Sequence, residues 1–148
     1  MEKWIIRRMQ FEDLDAVCDI ENASFSIPWS RNSFAEALAD ENNFLLVCEA
    51  DGKIAGYADT WCVLDEATIT NIAVSEELRG MGIGALLLKS ALDEAKKRNI
   101  SAVTLEVRKS NEPAIKLYNR FGFESVGIRP GYYEKPVEDA IIMWKYRL

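Results

Sequence analysis

At 148 residues with 49% hydrophobic side chains, the chain has the length and apolar content of one globular domain with a real core. A net charge of −6 with no Lys/Arg run argues against direct nucleic-acid binding, and the lack of histidine and of Cys-x-x-Cys argues against a metal site. No segment has signal-peptide or transmembrane character, and Cys18, Cys48 and Cys62 read as buried free thiols, so a cytoplasmic protein with no membrane partner is expected.

Trp4–Met9 reads as a strand, and Phe11–Ala23 as a helix whose Leu14, Val17, Cys18 and Glu21 follow one side. Ser26–Ser30 interrupts the pattern, and Ser30 is a good N-cap for a second helix reaching about Asp40. Phe44–Glu49 and Ile54–Leu64 pattern as strands around an Asp51-Gly52 hairpin turn, and Ala67–Val74 as the next strand after Asp65-Glu66. An apolar helix runs from Ala85. Ser101–Arg108 then alternates, with Val103, Leu105 and Val107 facing one way and Thr104, Glu106 and Arg108 the other. Asn111 caps a helix over Glu112–Arg120, which Gly122 ends. Phe123–Ile128 is a strand, Pro130–Pro136 a loop, and Asp139–Tyr146 the last strand. The chain has no repeat or linker, so a single α/β domain over 1–148 is expected.

The densest chemical signal lies between Asn71 and Leu92. Asn71-Ile72-Ala73-Val74 ends a strand, and Arg79-Gly80-Met81-Gly82-Ile83-Gly84 leads into the helix. Glycines at alternate positions leave the helix start bare, so its free N–H groups and dipole make an anion site that a phosphate can approach. The alternative is a tight turn with close packing. A P-loop is excluded because no Gly-x-x-x-x-Gly-Lys-Ser/Thr occurs, and the mid-chain position of the glycines argues against a dinucleotide fold.

With Arg79, Gly82 and Gly84 in the three defining places, this stretch resembles the acetyl-CoA motif of the GNAT family of N-acetyltransferases, Arg/Gln-x-x-Gly-x-Gly/Ala. Asn111–Phe123 resembles the family's second motif, at the family's separation. The resemblance implies the GNAT fold, a mixed sheet of about seven strands with about four helices on its faces, and acetyl-CoA as acetyl donor without a metal. It also implies that Gly80, Met81, Gly82, Ile83, Gly84 and Ala85 offer amides to the pyrophosphate, and that the backbone of Ile72, Ala73 and Val74 holds the pantetheine. Arg79 either neutralises phosphate charge or is a solvated arginine. Asn111 caps its helix and, by resemblance, also reaches the cofactor.

The same resemblance makes Tyr118 the acid for the departing thiolate; by pattern alone it is a core aromatic between Leu117 and Phe121. Glu106 either pairs with Arg108 or Thr104 on its strand face or takes a proton from the acceptor amine. In a chain without histidine, a carboxylate is the natural base. Pro28-Trp29-Ser30, Leu64–Thr68, Leu105–Arg108 and Tyr132-Tyr133 with Glu138–Met143 are similar to one branch of the family. That branch acetylates the N-terminal alanine of a bacterial small-subunit ribosomal protein, a basic partner. Trp29, Tyr132 and Tyr133 are then expected to wall the slot for the protein N-terminus, with Asp65, Glu66, Glu138 and Asp139 placed to meet a basic second or third residue. Two other readings stay open: acetylation of a small amine such as a polyamine or antibiotic, and a CoA-binding module without turnover.

Overall fold

Asp51 and Gly52 have φ of 54° and 78°, the left-handed pair that a two-residue hairpin turn needs to match the twist of its strands. They join β2 (Asn43–Ala50) to β3 (Lys53–Val63), the centre of a seven-stranded sheet in a computed structural model describing residues 3–148. The other strands are β1 (Ile5–Arg8), β4 (Glu66–Val74), β5 (Ala102–Arg108), β6 (Glu124–Tyr133) and β7 (Glu138–Tyr146). Their order is β1-β2-β3-β4-β5-β7-β6, antiparallel throughout except between β4 and β5.

Four helices cover the sheet: α1 (Leu14–Ser24), α2 (Arg31–Ala39), α3 (Ile83–Lys97) and α4 (Glu112–Arg120). Ser30 caps α2 by accepting the Ser33 N–H at 3.1 Å, as the sequence predicts. The buried stripe of α3, Ile83, Leu87, Leu88, Ala91, Leu92 and Ala95, packs on one face of the sheet with residues of α4, including Tyr118. On the opposite face α1 and α2 pack over β2, β3 and β4 through Leu14, Val17, Phe34, Val47 and Tyr57. The β5–β7–β6 end of that face has no helix packed across it among the described residues.

One irregularity sets the site. Asp59 pairs with Asn71 but Thr60 pairs with Ile69, so Thr70 is an extra residue in β4. The bulge reverses which residues face which side. Ala67 and Ile69 face α3 before it; Ile72 and Val74 do so after it, and Asn71 and Ala73 turn to the α1 side.

Several expectations shift. Phe11–Asp13 is a 3₁₀ turn ahead of α1, and α3 begins at Ile83, two residues early, because Gly82 is its N-cap. β6 continues to Tyr133 through the stretch expected as a loop. It is an edge strand, where Pro130 removes no ladder bond, and its register slips between Arg129 and Tyr133. Tyr132 and Tyr133 therefore stand on a strand end. All three cysteines are free, but only Cys48 is fully buried; Cys18 and Cys62 are partly exposed.

Candidate active site

Gly82 has φ of 83°, a conformation L side chains avoid, and a Cβ placed there or at Gly80 would meet nothing within 4 Å. The turn is thus open on the side where α3 begins. None of the N–H groups from Gly80 to Ala85 finds a hydrogen-bond partner among the described residues; the first to do so is Leu86, bonded to the Gly82 carbonyl at 3.1 Å. Free amides ahead of a fifteen-residue helix suit a pyrophosphate. Gly84 has a different role. A Cβ there would lie 3.5 Å from Leu117 and 3.9 Å from Val74, so this glycine lets α3, α4 and β4 meet closely. Arg79 turns back, its Nε donating to the Val74 carbonyl at 3.2 Å and its terminal nitrogen to Ser24 at 3.3 Å.

β4 and β5 pair only over Glu66–Thr68 and Ala102–Thr104, and then both continue without pairing to each other. The backbone edge of Ile72, Ala73 and Val74 faces that opening, with β3 bonded on the other side. An extended chain with amide groups, such as pantetheine, fits an unpaired strand edge. Asn111 borders the same end. Its Oδ1 accepts the Ala114 N–H at 3.3 Å, which leaves its amide nitrogen free to donate elsewhere.

Glu106 and Tyr118 approach β5 from opposite sides. Leu105, Val107 and Tyr118 share the α3–α4 core, whereas Glu106 projects from the other face beside Arg129. Arg129 Nε lies 3.2 Å from Glu106 Oε2 but off the line of a hydrogen bond. That oxygen is sealed from solvent with a cation beside it and no bonded donor. Arg108, one of the two expected partners of Glu106, instead meets Glu138 at 3.1 Å. Thr104, the other, donates to the Met143 carbonyl at 2.9 Å. Tyr118 is 7% exposed, and burial pushes its phenol up to about 12. Its ring stands edge-on to Phe123 at 5.9 Å, held by the helix-ending bonds from Phe123 N to Tyr118 O and from Gly122 N to Asn119 O.

Trp29 is half-buried on the Phe34 ring, 5.3 Å between centroids, and Tyr132 and Tyr133 meet edge-to-face at 5.1 Å. The two sets of aromatics belong to segments that touch: Ser26 Oγ donates to the Glu134 carbonyl at 3.2 Å. Burial raises the Tyr133 phenol pKa, and the negative charge of Glu106 adds to it. Glu138 and Asp139 are occupied locally, by Arg108 and Ser110 N and by Gly131 N, rather than free.

Next to Trp29 lies a buried cluster that sequence reasoning missed. Glu21, 1% exposed, accepts from the Tyr57 hydroxyl, from Asn71 Nδ2 at 3.2 Å and from the Trp29 N–H at 2.9 Å. One carboxylate thereby fixes the α1–α2 loop to β3 and to the bulged part of β4. Its place on the apolar stripe of α1 was the available signal.

The sequence profile of the acetyltransferase (GNAT) family matches residues 14–123. The [ribosomal protein bS18]-alanine N-acetyltransferase of Escherichia coli strain K12 is 42% identical over 141 residues, covering 93% of this chain and 94% of that protein. A Bacillus subtilis strain 168 protein given the same enzyme name provisionally is 46% identical over 143 residues, covering 96% of this chain and 95% of its own. The crystal structure of the ribosomal-protein-S18-alanine N-acetyltransferase from Escherichia coli is 39% identical. It superposes with a TM-score of 0.91 over 98% of this chain and 94% of that one.

Proposed function

The chain belongs to the GNAT family of acetyltransferases, and from that premise we propose that it acetylates the N-terminal alanine of ribosomal protein bS18 in the cytoplasm. Acetyl-CoA is the acetyl donor. The observation that carries the substrate reading is the extent of the likeness to the Escherichia coli bS18-alanine enzyme: it covers nearly the whole chain, rather than the cofactor turn alone. No helix among the described residues is long and apolar enough to cross a membrane.

Acyl transfer to an amine needs a neutral amine, support for negative charge on the carbonyl oxygen, and a leaving thiolate. Acetyl-CoA supplies the activated acyl carbon. The unpaired backbone edge at Ile72–Val74 offers N–H groups to the developing oxyanion. Glu106, whose side chain is 23% exposed although its Oε2 is sealed beside Arg129, accepts the ammonium proton directly or through water. An α-amine near pKa 8 is already partly neutral at pH 7, whereas a lysine amine near 10.4 costs about 3 kcal/mol more to deprotonate, so one carboxylate suits the first task.

Tyr118 donates its hydrogen bond to the departing sulfur. At about 12 the phenol stays protonated throughout the working range. Complete transfer to a thiolate of pKa about 8.5 would run uphill by about 5 kcal/mol. Its contribution is therefore a shared proton as the C–S bond breaks, and the attacking amine's second proton completes the thiol.

Release of free thiol from acetyl-CoA tests the reading, with a bS18-derived alanine-starting peptide set beside its N-terminally blocked form, a polyamine and other small amines. Turnover restricted to the free alanine terminus is expected. Preference for a small amine, or no turnover with any acceptor, overturns it.

A further inference from the structure

Two residues beyond Glu106, on the same face of β5, the guanidinium of Arg108 reaches across both segments that carry the slot aromatics. One terminal nitrogen donates to the Pro136 carbonyl at 3.0 Å and to Glu138 Oε1 at 3.1 Å; the other donates to the Glu134 carbonyl at 2.8 Å and to Ser26 Oγ at 3.4 Å. Its face lies 4.6 Å from the centroid of Tyr133. Glu138, held by Arg108 through one oxygen, accepts the Ser110 N–H through the other at 2.6 Å, so the contact extends to the residue before the Asn111 cap.

We propose that Arg108 is a positioning residue for the acceptor: it clasps the α1–α2 loop to the β6–β7 turn and so fixes the width of the slot between Trp29 and Tyr133. The inference rests on the acceptor-slot reading above. The physical reason lies in the shape of the group. A planar fork with five N–H donors can satisfy two carbonyls, a carboxylate and a hydroxyl while its face stacks on a phenol; an ammonium cannot do all of these from one place. The partners also come from two segments distant from β5 in sequence, one at Ser26 and one over Tyr133–Glu138. Among the described residues the one other hydrogen bond from the α1–α2 loop to the β6–β7 turn is Ser26–Glu134, which Arg108 also touches at both ends. The other end of the loop is already tied to the sheet through Trp29 and Glu21. Removing Arg108 frees one wall against the other without touching the cofactor turn.

The test compares wild type, Arg108→Ala and Arg108→Lys by steady-state kinetics and by amide hydrogen exchange. For Arg108→Ala, the KM for an alanine-starting peptide is expected to rise about tenfold or more, with kcat within a few-fold and acetyl-CoA KM unchanged. Arg108→Lys is expected to behave like the alanine variant, because charge over Tyr133 alone does not rebuild the clasp. Exchange should speed up in residues 25–30 and 133–138 together. An unchanged peptide KM, a fall in kcat with both KM values moving together, or a lysine variant at wild-type KM overturns the proposal. If wild type acetylates no peptide, the substrate reading fails, and exchange still decides the clasp: faster exchange in only one of the two segments, or in neither, overturns it.

Discussion

Asp59 and Asn71 are cross-strand partners in β3 and β4, and each ends in a buried oxygen, Asp59 Oδ2 and Asn71 Oδ1, that finds no donor. Burial pushes the Asp59 carboxyl up to about 6 even though Asn43 Nδ2 donates to its other oxygen at 3.3 Å. A proton on Asp59 places one donor among oxygens that otherwise only accept.

The folded state thus binds this proton more tightly than the unfolded chain. The stability it contributes is full below about 3.8, declines as pH rises, and is gone above about 6. Asp59→Asn removes the titration, so the variant should gain on wild type between pH 4 and pH 7 by up to about 3 kcal/mol. Urea unfolding of both proteins across that range measures the difference; a gap that does not change with pH contradicts the assignment.

Gly82→Asp puts a carboxylate and a strained φ into the turn ahead of α3. Since space is open there, the fold should survive with a cost of about 1 kcal/mol, while acetyl-CoA binding should fall at least about a hundredfold through charge repulsion and blocked amides. Calorimetry on the folded variant checks this. Wild-type affinity would mean that the cofactor phosphates lie elsewhere.

Tyr118→Phe keeps the packing on Phe123 and removes only the hydroxyl. Acetyl transfer should slow by about 10²-fold or more with acetyl-CoA affinity and melting temperature nearly unchanged, the scale of a positioned acid–base group. A kcat close to wild type would return Tyr118 to the core as one more aromatic.

The features legible in the sequence are those whose signals are local. The Asn111 and Ser30 caps and the Asp51-Gly52 turn each depend on a few neighbouring residues, and each appears as read. What was not legible depends on pairing. No local pattern reveals that β4 and β5 part after Thr68 and Thr104, or that Thr70 is a bulge that turns Asn71 toward Glu21. Asp59 and Thr60 are polar residues of β3 yet are sealed in the sheet centre. Pro130 and Gly131 read as a loop because turn residues look alike on an edge strand. Alternation along one strand offers Arg108 as one possible partner of Glu106; its actual partners lie on segments far away in sequence.

The proposed acceptor chemistry turns on Glu106, whose Oε2 lies 3.2 Å from Arg129 Nε without a hydrogen bond and whose side chain is 23% exposed. The most direct measurement is the pH dependence of kcat/KM for wild type and Glu106→Gln with an alanine-starting peptide, from pH 6 to pH 9. The glutamine variant keeps the shape and loses the base. Its deficit should be about 10²-fold at pH 7 and shrink to less than about tenfold by pH 9, where an α-amine near pKa 8 loses its proton unaided. A deficit of the same size across the whole range would contradict a base at Glu106.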